Sequence, residues 1–129
     1  MAEASYPSDL LYHPEHDWAR LDGDVATFGL TWHAQDALGD IVFVDPPAVG
    51  AQLSANQPYT EVESVKAVSD VFAPLSGEVI EVNQRLSDSP ELINEDPYGD
   101  GWLLKVRIAD ASETSGLLER DAYVATLDE

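Results

Sequence analysis

The chain is expected to fold as a mainly β domain of the α+β kind. The form expected is a flattened barrel–sandwich hybrid of two similar sheets, with a short helix in the N-terminal half and helices at the C-terminus. Three observations predict this. Short apolar runs rich in Val, Ile, Phe and Thr recur along the chain, separated by Gly, Pro and Asp-Gly turns, which is strand punctuation. One strand unit is repeated: Gly39-Asp40-Ile41-Val42-Phe43-Val44 and Gly77-Glu78-Val79-Ile80-Glu81-Val82 share a glycine, an acid and a β-branched run, 38 residues apart. Two copies imply two related sheets about an approximate two-fold. From Asp110 onward the apolar spacing changes from period two to helical.

The elements follow in order. Leu10–Tyr12 is a short apolar run ended by Pro14. His16–Leu21 alternates loosely around Trp18, and Asp22-Gly23-Asp24 supplies a hairpin turn into Val25–Leu30. Thr31 caps a short helix over Trp32–Leu38, and Gly39 ends it. Asp40–Asp45 is a continuous apolar β run, which implies burial on both faces or at a sheet junction. Pro46-Pro47 stops it, and Gly50 marks a reversal. A central hairpin joins Tyr59–Val65 to Val68–Ala73. Pro74–Gly77 is a turn, and Glu78–Val82 a strand. Asn83–Pro97 reads as a loop holding one helical turn at Pro90–Ile93. Tyr98–Gly101 leads into a last strand, Trp102–Ile108. Asp110 and Glu113 have capping-box spacing, and Leu117, Leu118, Tyr123, Val124 and Leu127 make one or two C-terminal helices. Residues 1–129 thus form one domain, with 110–129 a helical segment packed on it.

Six basic residues against 25 acidic ones give a net charge of −19. Such a surface repels phosphate, so nucleic acid and anionic membranes are excluded as partners, and basic protein surfaces are favoured. With no cysteine, there is no disulfide, thiolate metal site or cysteine nucleophile. Any redox chemistry must be attached. No apolar run approaches the roughly 20 residues that span a bilayer. The N-terminus, Met1–Ser5, has neither an apolar signal core nor an arginine-rich pattern. A cytoplasmic protein is expected, with a processed mitochondrial form as the alternative, and a monomer.

One of only two lysines, Lys66, stands in Glu63-Ser64-Val65-Lys66-Ala67 between two strand-like runs. An ordinary lysine is cationic at pH 7 and a poor nucleophile. Nearby Glu61, Glu63 and Asp70 favour that charged form, so Lys66 is no Schiff-base catalyst. On residue type alone it is an exposed lysine on a turn. In a hairpin tip it is an amine displayed for another enzyme to acylate. His13 and His16 with Glu15 and Asp17 do not make a persuasive metal site, for no further histidine supports them. Trp18, Phe43 and Trp102 read as core. No nucleophile elbow or phosphate loop is present, so no catalytic residue is expected.

The motif around Lys66 resembles a lipoyl-attachment site, and the chain from about Tyr12 to Leu127 resembles the glycine cleavage system H-protein family. The residues that carry this are Glu15-His16-Asp17-Trp18, Gly29-Leu30-Thr31, Ala34-Gln35, Leu38–Val44, Val62–Ala67, Ser69-Asp70, Ala73-Pro74, Ser76–Val79, Asn83, Asn94–Tyr98 and Gly101–Leu103. Dehydrogenase lipoyl domains usually show Asp-Lys-Ala, and biotin carriers Met-Lys-Met. Trp32 departs from the family, which more often has an acid there. The resemblance implies lipoic acid in amide linkage to Lys66, within the Glu63, Ser64, Val65 and Ala67 motif. It implies a non-enzymatic shuttle carrying the aminomethyl group of glycine. Its partners would be the pyridoxal-phosphate glycine decarboxylase (P protein), the folate-dependent aminomethyltransferase (T protein), dihydrolipoamide dehydrogenase (L protein) and a lipoate-attaching enzyme. Matching positions imply an arm cleft of Glu15, Asp17 and Asp70, and His16 is expected to join it or to pack beside Trp18. The alternative is a non-catalytic acidic binding module or lipoate-relay paralogue.

Overall fold

The computed structural model describes residues 6–127. Met1–Ser5, the stretch expected to carry no targeting signal, and the last two residues of the expected C-terminal segment lie outside the described residues. The strands are β1 (Leu11–His13), β2 (Asp17–Asp22), β3 (Val25–Leu30), β4 (Ile41–Val44), β5 (Gln52–Leu53), β6 (Pro58–Ser64), β7 (Val68–Phe72), β8 (Gly77–Val82) and β9 (Leu104–Ile108). The helices are α1 (Trp32–Leu38), α2 (Arg85–Asp88), α3 (Leu92–Glu95) and α4 (Arg120–Leu127), with a 3-10 segment at Ala111–Gly116.

Two antiparallel sheets result. One has six strands in the order β1-β2-β3-β9-β8-β5, and the other three in the order β4-β6-β7. The mainly β, two-sheet expectation holds, and the two copies of the repeated unit, β4 and β8, fall in different sheets. The sheets differ in size, however, and stay open rather than closing into a barrel. The β1–β2–β3 meander and β9 all add to one sheet. The strand at its far end, β5, pairs through only two residues.

The main core lies between the sheets, around Phe28, Val62, Val71, Val79, Leu104 and Val106. A second, aromatic cluster of Leu10, Tyr12, Trp18 and Tyr123 lies beneath α4. Trp18 is fully buried, and its indole N–H donates to Pro97 O at 3.0 Å, satisfying its one polar atom.

The β run at residues 41–44 is not buried on both faces. Ile41 and Val44 are buried, but Val42 and Phe43 are about half exposed, at 49% and 51%. The register against β6 slips between Ile41 and Phe43. An extra residue in one strand breaks the alternation, so two consecutive side chains turn outward. Phe43 is therefore surface, while Trp102 is partly buried against the aromatic cluster.

Three expectations about irregular segments also change. The 83–97 loop holds two one-turn helices, α2 and α3, each seating one apolar residue, Leu86 and Ile93, in the core. The last strand begins at Leu104, after Leu103 N–H has bonded Phe28 O. The capping box does not close. Asp110 caps the 3-10 segment through Ser112 N–H. Glu113 instead accepts from both the N–H and the hydroxyl of Ser76, each at 2.9 Å, tying the C-terminal segment to the turn before β8.

Candidate functional site

The β6–β7 hairpin reverses over Val65, Lys66 and Ala67. Ser64 makes this turn: its N–H donates to Ala67 O at 2.8 Å, and its hydroxyl oxygen accepts from the N–H of Ala67 at 3.1 Å and of Lys66 at 3.3 Å. Such serine turns give the backbone a local partner where the ladder ends. Val65 N–H donates to Asp40 O at 3.1 Å, which pins the tip to the segment between α1 and β4. Val65 is 69% exposed, and Glu63, Lys66 and Ala67 are exposed with it.

Among the described residues, Lys66 is the one cation of six with neither an ion pair nor a side-chain hydrogen bond. Arg85, Lys105, Arg107 and Arg120 pair with carboxylates, and Arg20 donates to Tyr98 O. The Lys66 side chain lies over Gly39, where an added Cβ would stand 3.4 Å from Lys66 Cε. Gly39 has φ of 79°, a conformation that favours glycine, and it ends α1. Asn94 secures this bed. Its amide nitrogen donates to Gly39 O at 2.8 Å, and its oxygen accepts from Ile41 N–H at 2.9 Å.

One residue before Gly39, Leu38 forms part of the wall of a cleft of about 280 Å³. Glu15, His16, His33 and Asp70 supply its polar lining, and Leu30, Ala34 and Val71 its apolar floor. A second groove, of about 460 Å³, opens on the other side of Gly39 between Trp32, Asp36, Asp40 and Glu95. Of the four residues expected in the arm cleft, the fold brings together Glu15, His16 and Asp70. His33 joins them, its ring 4.4 Å from that of His16. Burial and the His33 ring hold His16 below the usual imidazole range, against the opposing pull of Glu15.

Asp17 does not line the cleft. It pairs with Leu30 and His13 in the six-stranded sheet and is 1% exposed, pointing to the core side. Among the described residues neither carboxylate oxygen closes a hydrogen bond, and the neighbouring Tyr59 hydroxyl is equally unpartnered. Burial raises the Asp17 acid well above the usual carboxylate range; the Phe72 N–H, near but short of a closed hydrogen bond, lowers it partly, and the Glu15 charge raises it further. His13 Nδ1 comes within 4.0 Å, but this is no ion pair. That nitrogen accepts from Glu15 N–H at 3.1 Å, so it carries no proton, and Nε2 is left to donate to Asn56 Oδ1 at 2.7 Å. Among the described residues no three histidine or carboxylate side chains converge as metal ligands.

Sequence reasoning missed His33, Asn94 and Tyr123 as builders of this site. His33 follows the helix cap, and Tyr123 lies far down the chain. Only packing shows that His33 lines the cleft and that Tyr123 touches one of its lining residues, His16.

These features define a class: a small two-sheet domain that displays one lysine at the tip of a rigid hairpin, beside a partly apolar cleft with carboxylates at its rim. The family model for glycine cleavage H-proteins matches residues 10–129, and the chain belongs to that family. It is 54% identical to the glycine cleavage system H protein of Rubrobacter xylanophilus, over 98% of each chain. It is 56% identical to the probable glycine cleavage system H protein of Haloarcula marismortui, over 91% of this chain and 92% of that one. The crystal structure of a glycine cleavage system H protein from Mycobacterium marinum superposes with a TM-score of 0.87 at 40% identity, covering 95% of this chain and 99% of that one.

Proposed function

We propose that this chain is the lipoylated carrier of the glycine cleavage system, a shuttle on which other enzymes act, with Lys66 as its attachment point. The observation that carries the reading is the free, exposed amine of Lys66 at a turn whose backbone is fixed by Ser64 and Asp40. An attaching enzyme must reach the amine and find it in a constant place, and both conditions are met. Lipoic acid suits the surroundings. Its amide would remove the lysine charge, and an apolar arm leaving over Gly39 would meet the wall of Leu38, Leu30 and Val71.

When bound, lipoate supplies the dithiolane that accepts the aminomethyl group of glycine and the accompanying electrons, which this cysteine-free chain lacks. The chain's own residues hold and shelter that arm. Glu15 and Asp70 are the acceptors for a protonated amine at the rim. His16 lines the same cleft. Asp17 is buried and does not line the cleft. The glycine decarboxylase, the aminomethyltransferase and dihydrolipoamide dehydrogenase would load, unload and reoxidise it in turn. The acidic surface favours basic docking faces on each.

The test is reconstitution. Protein co-expressed with a lipoate-attaching enzyme should gain one lipoyl mass at Lys66 and support glycine–CO2 exchange with the decarboxylase and labelled bicarbonate. Lys66→Arg should fold, gain no mass and support no exchange. Exchange by unmodified protein or by the arginine variant would refute the reading.

A further inference from the structure

The C-terminal helix touches a cleft-lining residue, His16, through one side chain. Tyr123, in α4, is wholly buried, with its ring stacked on Tyr12 at 4.7 Å and 8°. Its hydroxyl oxygen lies 2.8 Å from His16 Nδ1 and 2.9 Å from Thr31 Oγ1. His16 is constrained from other sides as well. It has a left-handed φ of 76°, its N–H donates to His13 O, and its carbonyl accepts from Thr31 N–H. A non-glycine residue keeps such a backbone only where its surroundings over-determine it.

Counting hydrogens gives these contacts a direction. Thr31 Oγ1 already accepts from Ala34 N–H at the cap of α1, at 3.3 Å. Its own hydrogen needs an acceptor, because Thr31 is 0% exposed. Among the described residues the recorded acceptor is Tyr123 Oη. Tyr123 then has its hydrogen to give to His16 Nδ1. A neutral imidazole that accepts at Nδ1 carries its proton at Nε2. His16 lines the cleft, so Nε2 is the ring nitrogen left for whatever lies there.

We propose that Tyr123 is a positioning residue for the cleft: the relay from Thr31 through Tyr123 fixes His16 as its Nε2–H tautomer and so places one hydrogen-bond donor among the Glu15 and Asp70 acceptors. The donor suits the amide oxygen or sulfur of an arm whose charged end is held by the carboxylates. Calling that occupant a lipoyl arm rests on the function proposed above. The tautomer lock belongs to the unmodified chain.

Long-range 1H–15N spectra of the histidine rings in unmodified protein test the proposal, with His16 assigned by its loss in His16→Gln. Wild type should show His16 protonated at Nε2 and bare at Nδ1. Tyr123→Phe keeps the ring and removes only the hydroxyl, and should turn His16 into a tautomer mixture. In lipoylated protein carrying its group, the same variant should lose that group to water roughly 2–12-fold faster, the worth of one hydrogen bond. A wild-type His16 proton on Nδ1 overturns the proposal whether or not the variant folds. So does a tautomer unchanged in Tyr123→Phe, or equal rates of loss. Failure of lipoylation at Lys66 would instead strike the proposed function and leave the spectra to be judged by themselves.

Discussion

Replacing Asp17 by Asn should make the protein more stable relative to wild type as pH rises. Asp17 is 1% exposed, and among the described residues neither of its oxygens closes a hydrogen bond. Burial therefore opposes ionisation, and its acid is raised well above the usual carboxylate range. The unfolded chain carries an ordinary aspartate, titrating at about 3.9. Below that pH both states hold the proton, and Asp17 contributes no pH dependence. Above it the unfolded chain releases the proton while the folded chain keeps it, so each further pH unit lowers folding stability by about 1.4 kcal/mol. The loss levels off once pH passes the folded value. Asn at this position has no proton to lose. The variant minus wild-type difference should thus grow by about 1.4 kcal/mol per pH unit within that window. This is a large step for a domain whose total stability is about 5–15 kcal/mol. Urea unfolding of both proteins from pH 4 upward, followed by tryptophan fluorescence, measures it. Groups too far away to sense the charge at Asp17 contribute equally to both proteins and cancel in the difference. Parallel stability curves would refute the reasoning. So would a wild type that gains on the variant with rising pH, since that would mean His13 stabilises an Asp17 anion after all.

Two further predictions concern packing and the turn. Gly29→Ala places a Cβ 2.5 Å from Trp18 Cε2 and Cζ2, and Trp18 cannot yield because it is buried and bonded to Pro97. The variant should lose about 1–3 kcal/mol, read as a lower urea midpoint, and an unchanged midpoint would show that the indole has room to move. Ser64→Ala strips the turn of the oxygen that accepts from Lys66 and Ala67. Stability should fall by about 0.5–1 kcal/mol at this exposed site, while acylation of Lys66 by the attaching enzyme slows because the amine is no longer held in one place. Equal acylation rates would mean that Ser64 does not present the lysine.

Much of the fold is legible in local chemistry. Thr31 and Gly39 bracket α1 as capping rules require, and the β6–β7 hairpin around Lys66 follows from strand propensity on either side of a polar turn. The repeated Gly-acid-β unit does place one copy in each sheet. Elements of two to four residues, β5, α2 and α3, escape because they are too short to show a period. The outward turn of Val42 and Phe43 escapes for another reason, since a bulge is a property of the pairing with β6 and not of either strand alone.

Local chemistry alone places an amine on a turn in an acidic, cysteine-free β protein, because charge, composition and turn propensity are read residue by residue. What surrounds that amine, and its lack of an ion pair among the described residues, follows from tertiary packing. That packing buried Asp17 and left Glu15 and Asp70 at the rim, because which face of a strand meets solvent depends on the sheet packed behind it. It also brought Tyr123 onto His16 across 107 residues of chain, a contact that no local pattern encodes because long-range pairing is settled by how whole elements pack.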